Sequence, residues 1–177
     1  MQEVKATSLG DDDIRMFLGT PKIITYAELA NANSIDEVLS NDYVILLYED
    51  SPNHGHWTAV NKINNTIQFF DPYGGKPDSQ QKWVPIEMRK ELGEGKPYLT
   101  RLFDKCPYPV EYNDVKYQKE SPQINDCGRH CVNFIKAGKK GLDLKGYYKW
   151  MKECSKKMKL DFDGVVCALI LKPDEEI

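Results

Sequence analysis

The hydrophobic pattern changes period several times along the chain. Residues 11–18 and 34–39 carry the spacing of short helices, each opened by a capping-type residue, with TPKIITYAEL between them. Residues 43–48 (YVILLY) form a continuous apolar run suited to a strand buried on both faces. GHWTAVNKI, ending at Ile63, and TIQFFD, beginning at Thr66, flank Asn64-Asn65 as a hairpin would. Three adjacent antiparallel strands are the expected result. Beyond them, residues 86–92 and 98–103 read as helices, VEYNDVKYQ as an extended segment with an Asn-Asp turn, and residues 127–137 as a helix. Residues 144–158 are amphipathic, with Leu144, Tyr147, Tyr148 and Met151 on one face and Lys145, Lys149, Lys152 and Lys156 on another. The last apolar stretch, 165–171, is expected to be a helix capped by Asp161 or Asp163. Together these elements predict an α+β fold with an antiparallel central sheet and one domain spanning residues 1–177.

With 177 residues and 41% hydrophobic types, the chain can bury a core without disulfide or metal support. No apolar run reaches membrane-spanning length, and MQEVKATSLGDDD lacks the charged and apolar regions of a secretion signal. An intracellular, unsecreted monomer is expected, acting without a membrane partner. In such a setting the five scattered cysteines are thiols, either core filler or catalytic. The formal charge of −3 argues against a wholly basic nucleic-acid binder, yet nine lysines between residues 136 and 159 face only Asp143 and Glu153.

Chemistry enters through the hairpin. With a loop of two residues, Ile63 opposes Thr66 and Thr58 opposes Asp71, so His56 and Asp71 become a diagonal pair on one face. Such neighbours lie about 7–8 Å apart, within reach of an imidazole leaning toward a carboxylate. A one-residue slip would abolish the pair. Cys127, in SPQINDCGRHC, is the matching nucleophile: Asp126 or Asn125 can cap a helix that begins at the cysteine, and a helix N-terminus beside an imidazolium favours thiolate. Gly128 leaves the backbone open to substrate and suits an oxyanion hole, to which Gln123 could add its side-chain amide.

His56-Trp57, FFDPYG around Asp71, and Gln123 followed by Asp126-Cys127-Gly128 resemble the ordered His, Asp, Gln, Cys signature of the adenain/Ulp1-like cysteine proteases. That resemblance implies a papain-related fold, with Cys127 as nucleophile, His56 as general base, Asp71 orienting His56 and Gln123 as oxyanion donor. Only three residues separate Gln123 from Cys127, and Gln118 is the substitute for the same role. The resemblance further implies that Trp57 borders the substrate path. Among the family's members the small chain is most similar to capsid maturation proteases of adenovirus and virophage type. Capsid precursors would be its substrates, with the infected cell and the virion as its location. The alternatives are a deconjugating protease for ubiquitin-like proteins and a non-catalytic module that binds DNA or protein.

Other features have plainer readings. Cys131 belongs to an apolar stripe with Phe134 and Ile135, His54 to a solvated loop, and His130 to the surface or to helix packing. No cofactor is implied. A zinc site from His54, His56, Cys127, His130 and Cys131 lacks a second ligand pair at structural-zinc spacing. The lysine face formed by Lys145, Lys149, Lys152 and Lys156 is either a solvated surface or an electrostatic footprint for DNA or an acidic partner.

Overall fold

The computed structural model describes residues 1–176. At its centre is a five-stranded sheet in the order β1 (Ile23–Thr25), β2 (Tyr43–Ser51), β3 (His54–Ile63), β4 (Thr66–Phe70), β5 (Val110–Tyr112). The three central strands are antiparallel, as the hydrophobic pattern predicts. The sheet as a whole is mixed, however, because β1 runs parallel to β2 and β5 parallel to β4. Each edge strand is only three residues long and is connected to its neighbour by helical crossovers, which parallel pairing requires.

The hairpin turn is set by Asn64 and Asn65, both in the left-handed region at φ 49° and 63°. Two positive φ values make the tight turn whose twist matches that of the strands, and asparagine tolerates them well. Register follows from the turn: Ile63 pairs with Thr66 and Ala59 with Phe70. The ladder ends at Ala59 and Phe70, one step before Thr58 and Asp71, in the register the sequence predicts.

Helices cover both faces of the sheet. They are α1 (Gln2–Ala6), α2 (Asp11–Leu18), α3 (Ile35–Val38), α4 (Ile86–Glu91), α5 (Tyr98–Asp104), α6 (Cys127–Gly138), α7 (Leu144–Met158) and α8 (Phe162–Leu169). Alternate residues of β2 serve two cores. Tyr43, Ile45 and Leu47 meet α2, α6, α7 and α8, while Val44, Leu46 and Tyr48 meet α3, α5 and the 3-10 turn Tyr26–Asn31. A strand buried on both sides has no polar face, which explains the uninterrupted YVILLY.

α6 is the helix that matters for chemistry, and it is held against the sheet by aromatic stacking. The rings of Phe134 on α6 and Phe70 on β4 lie 4.5 Å apart and nearly parallel, with Tyr147 of α7 set edge-on to both. At its far end Gly138 passes so close to β3 that a Cβ would sit 2.0 Å from Asn61 Nδ2. Arg129, fully buried, donates to the Ile170 carbonyl and pairs with Glu175, tying the segment after α8 to the same helix. Tyr147 and Met151 occupy the inner face of α7 as expected, while Tyr148 sits at the edge and is 36% exposed.

Candidate active site

β3 delivers His56 beside the end of β4, where the chain leaves the sheet through Asp71. Diagonal placement becomes direct contact: His56 Nε2 lies 2.8 Å from Asp71 Oδ1. Asp71 is fully buried, and its carboxylate accepts two further donors, the Tyr73 N–H at 2.9 Å and the side-chain amide of Gln80. Its own N–H donates to Asn113 Oδ1, and Asn113 returns a bond to the Asp71 carbonyl, both at 2.9 Å. Gly75 leaves room for this arrangement, because a Cβ there would stand 2.4 Å from Asp71 Oδ2. Burial alone would raise the Asp71 pKa, but the donors, His56 foremost, hold it below the usual carboxylate value.

Cys127 is the first residue of α6 and lines the same cleft as His56. Burial opposes charge on the imidazole, yet the bond to Asp71 and the nearby Cys127 thiol raise its pKa to about 10. Neither Asn125 nor Asp126 caps α6 with its side chain; Asp126 turns toward His130 instead. The first N–H groups of the helix therefore have no side-chain acceptor, and they point where negative charge on sulfur or on an oxyanion would sit. Stacked on His56 is Tyr73, with 4.7 Å between ring centres and 18° between planes.

These groups open onto a cleft of about 460 Å³, lined by Cys127, His56, Tyr73, Gln80, Trp83 and Gln118 among others. Gln118 is almost completely buried, with one amide bond to the Ile124 carbonyl at 3.4 Å. Its N–H, together with that of Tyr117, donates to the Pro72 carbonyl at 2.9 and 2.8 Å, so the residue is anchored to the turn that follows Asp71. Gln123, the donor expected from its nearness to Cys127, lies elsewhere. It is exposed, accepts from Ser121 Oγ at 2.7 Å and does not line the cleft. The Ile124 N–H closes a tight turn onto the Ser121 carbonyl, which buries Ile124 and turns Gln123 outward. Gln118, the substitute for that role, is thus the glutamine of the two that lines the cleft with Cys127.

No family model matches the chain. The "Uncharacterized protein V9" of the Sputnik virophage is 33% identical over 162 residues, covering 90% of this chain and 91% of that protein. The chain belongs to the family of this virophage protein. Among solved structures, the SUMO protease Ulp1 with its catalytic cysteine oxidised to a sulfenic acid is 15% identical over 94% of this chain and 78% of its own, at a TM-score of 0.43. The C-terminal Ulp1 protease domain in complex with Smt3, the yeast ortholog of SUMO, is 16% identical over 94% and 77%, at 0.42. The central domain of Lpg1148 from Legionella pneumophila is 15% identical over 93% and 99%, at 0.37. None of these likenesses carries residue roles across.

Two residues expected to meet substrate lie behind the cleft. The Trp57 indole is buried and donates to the Leu9 carbonyl at 2.9 Å. A Cβ on Gly128 would meet Leu9 at 3.0 Å and Trp57 at 3.3 Å. Gly128 thus makes room for the segment between α1 and α2, where the sequence reading had placed substrate. Cys131 is fully buried in the core, and burial raises its pKa well above that of a free thiol. His54 is exposed and pairs with Asp50 at 2.8 Å.

His130 departs most from expectation among the histidines. It is fully buried between Asp163 at 3.1 Å and Asp126 at 3.6 Å. Among the described residues these three form the one group with metal-ligand chemistry and spacing. His130 Nδ1 has no partner, whereas a ligating imidazole almost always donates its second nitrogen to a supporting group. The cluster therefore reads as a buried polar contact set behind the cysteine. Lys145, Lys149, Lys152 and Lys156 are exposed and line one shallow groove with Tyr148.

Proposed function

We propose that the chain is a cysteine endopeptidase of adenain/Ulp1-like type that cleaves virion precursor proteins in the infected cell or the assembling particle. One observation carries the chemistry: a mostly buried imidazole bonded to a buried, three-fold hydrogen-bonded Asp71 and lining one open cleft with Cys127. Kinship with a virophage protein supports the viral setting.

In this mechanism Cys127 attacks the scissile carbonyl as thiolate, and His56, held protonated by Asp71, passes its proton to the departing amine. The Cys127 N–H and the free amide hydrogen of Gln118 receive the oxyanion. Water, activated by the now neutral His56, then releases the acyl group. Asp71 stays ionised throughout, because its three donors leave no acceptor for a carboxyl proton.

Incubation of the protein with virion precursors, followed by mass determination of products, tests the reading. Cleavage by wild type and none by a folded Cys127→Ala variant is expected, since the thiol is the one group able to form the acyl enzyme. Undiminished turnover by Cys127→Ala would end the assignment.

A further inference from the structure

Trp83 ends the 3-10 turn Ser79–Trp83, whose Gln80 supports Asp71, so one short element carries both a prop for the catalytic carboxylate and a large side chain at the rim. Trp83 is 68% exposed, and among the exposed large apolar residues it is the one that also lines the cleft containing Cys127. Ile86, three residues on at the start of α4, is 56% exposed. Lys82 holds its ammonium 5.1 Å from the Trp83 ring centre and lines the same cleft.

Folding leaves this surface uncovered although indole and sec-butyl groups both gain by leaving water. An apolar surface with a polar rim marks a contact site. Its continuity with the cleft identifies the occupant, because any polypeptide whose carbonyl reaches Cys127 must leave the cleft past one of its walls. We infer that Trp83, with Ile86 beside it, is a specificity platform that selects a large apolar side chain of the substrate polypeptide at a fixed distance from the scissile bond.

The inference rests on the protease reading and is tested by cleavage profiling. A library of peptides from digested proteomes, treated with wild type, should yield cut sites enriched in Leu, Ile, Met, Phe or Trp at one fixed position. Trp83→Ala should erase that enrichment and lower kcat/KM on the best sequence by about 10–200-fold, mainly through KM, as loss of an apolar contact does. Trp83→Phe should restore most of it. An unchanged thermal midpoint shows that each variant is folded, as expected for so exposed a residue. Cleavage with no apolar position in the wild-type profile, or a profile that Trp83→Ala leaves intact, overturns the platform alone. A wild type that cuts neither library peptides nor virion precursors overturns the protease reading and the platform with it.

Discussion

The imidazole of His56 and the phenol of Tyr73 lie face to face, 4.7 Å between centres, while Asp71 holds the edge of the same imidazole at 2.8 Å. Ring plane and ring edge are thus fixed by two residues from one turn, DPYG. Three donors converge on the Asp71 carboxylate, so an amide in its place would set N–H against N–H whichever way it turned. Asp71→Asn is therefore expected to cost about 10²–10⁴-fold in kcat, in the range of losing the base itself through His56→Ala. Tyr73→Phe keeps the stack and should stay near wild type, whereas Tyr73→Ala should lose up to about tenfold. Steady-state rates of the four variants decide it; a fully active Asp71→Asn would show that His56 needs no carboxylate.

The two glutamines give opposed forecasts. Gln118→Ala removes a buried amide at the cleft and should lower kcat about 10²–10³-fold with little change in KM. Gln123→Ala touches only an exposed turn, and its rate should match wild type. The reverse outcome would return the oxyanion role to Gln123.

The pH profile follows from the same contacts. His56 titrates at 6.5 when unperturbed and at about 10 in the fold. Its proton therefore contributes stability that is fully present below pH 6.5 and lost as pH rises from there through about 10. Asp71, held below its ordinary 3.8, contributes above that pH and loses the contribution on acidification. Between these limits the His56 imidazolium and the Asp71 carboxylate persist as a pair, so peptide cleavage should show an alkaline limb far above 7. Asp71→Asn should move that limb downward, since it removes the largest bond raising the imidazole. NMR titration of the His56 ring checks both; a wild-type midpoint near 6.5 would refute the coupling.

How much of this was legible in the chain differs by element. The hairpin was, because Asn64 and Asn65 permit a two-residue turn and a two-residue turn sets the register, which in turn joins His56 to Asp71. The Cys127 helix was legible from its apolar stripe. The parallel edges were not: a three-residue strand such as Val110–Tyr112 has no period to read, and its pairing with β4 is made across forty residues of helix and loop. Gln118 ranked behind Gln123 for the same reason. Its place at the site depends on the Pro72 carbonyl and on the bonds of Asn113, which are long-range contacts with no local signature. Sequence proximity favoured Gln123, and proximity is a poor guide where a turn such as Ser121–Ile124 reverses the chain. Nor did any pattern announce that His130 is buried against Asp163, thirty-three residues later.

The lysine face of α7 separates from the active site in its dependence on salt. Lys145, Lys149, Lys152 and Lys156 line one groove beside Tyr148, and the helix has Glu153 as its acid on that side. Duplex DNA is expected to be retained at low salt through these four residues. Each phosphate neutralised contributes a slope of about −0.9 in log affinity against log salt, so full engagement of four lysines implies a slope near −3.6. Replacing all four by Gln should abolish retention while leaving short-peptide cleavage intact, because none of them lines the cleft around Cys127. Fluorescence polarisation with a labelled duplex across a salt series measures the slope directly. A wild type with no retention at low salt would make these lysines a solvated face, and the chemistry at Cys127 would stand unaffected.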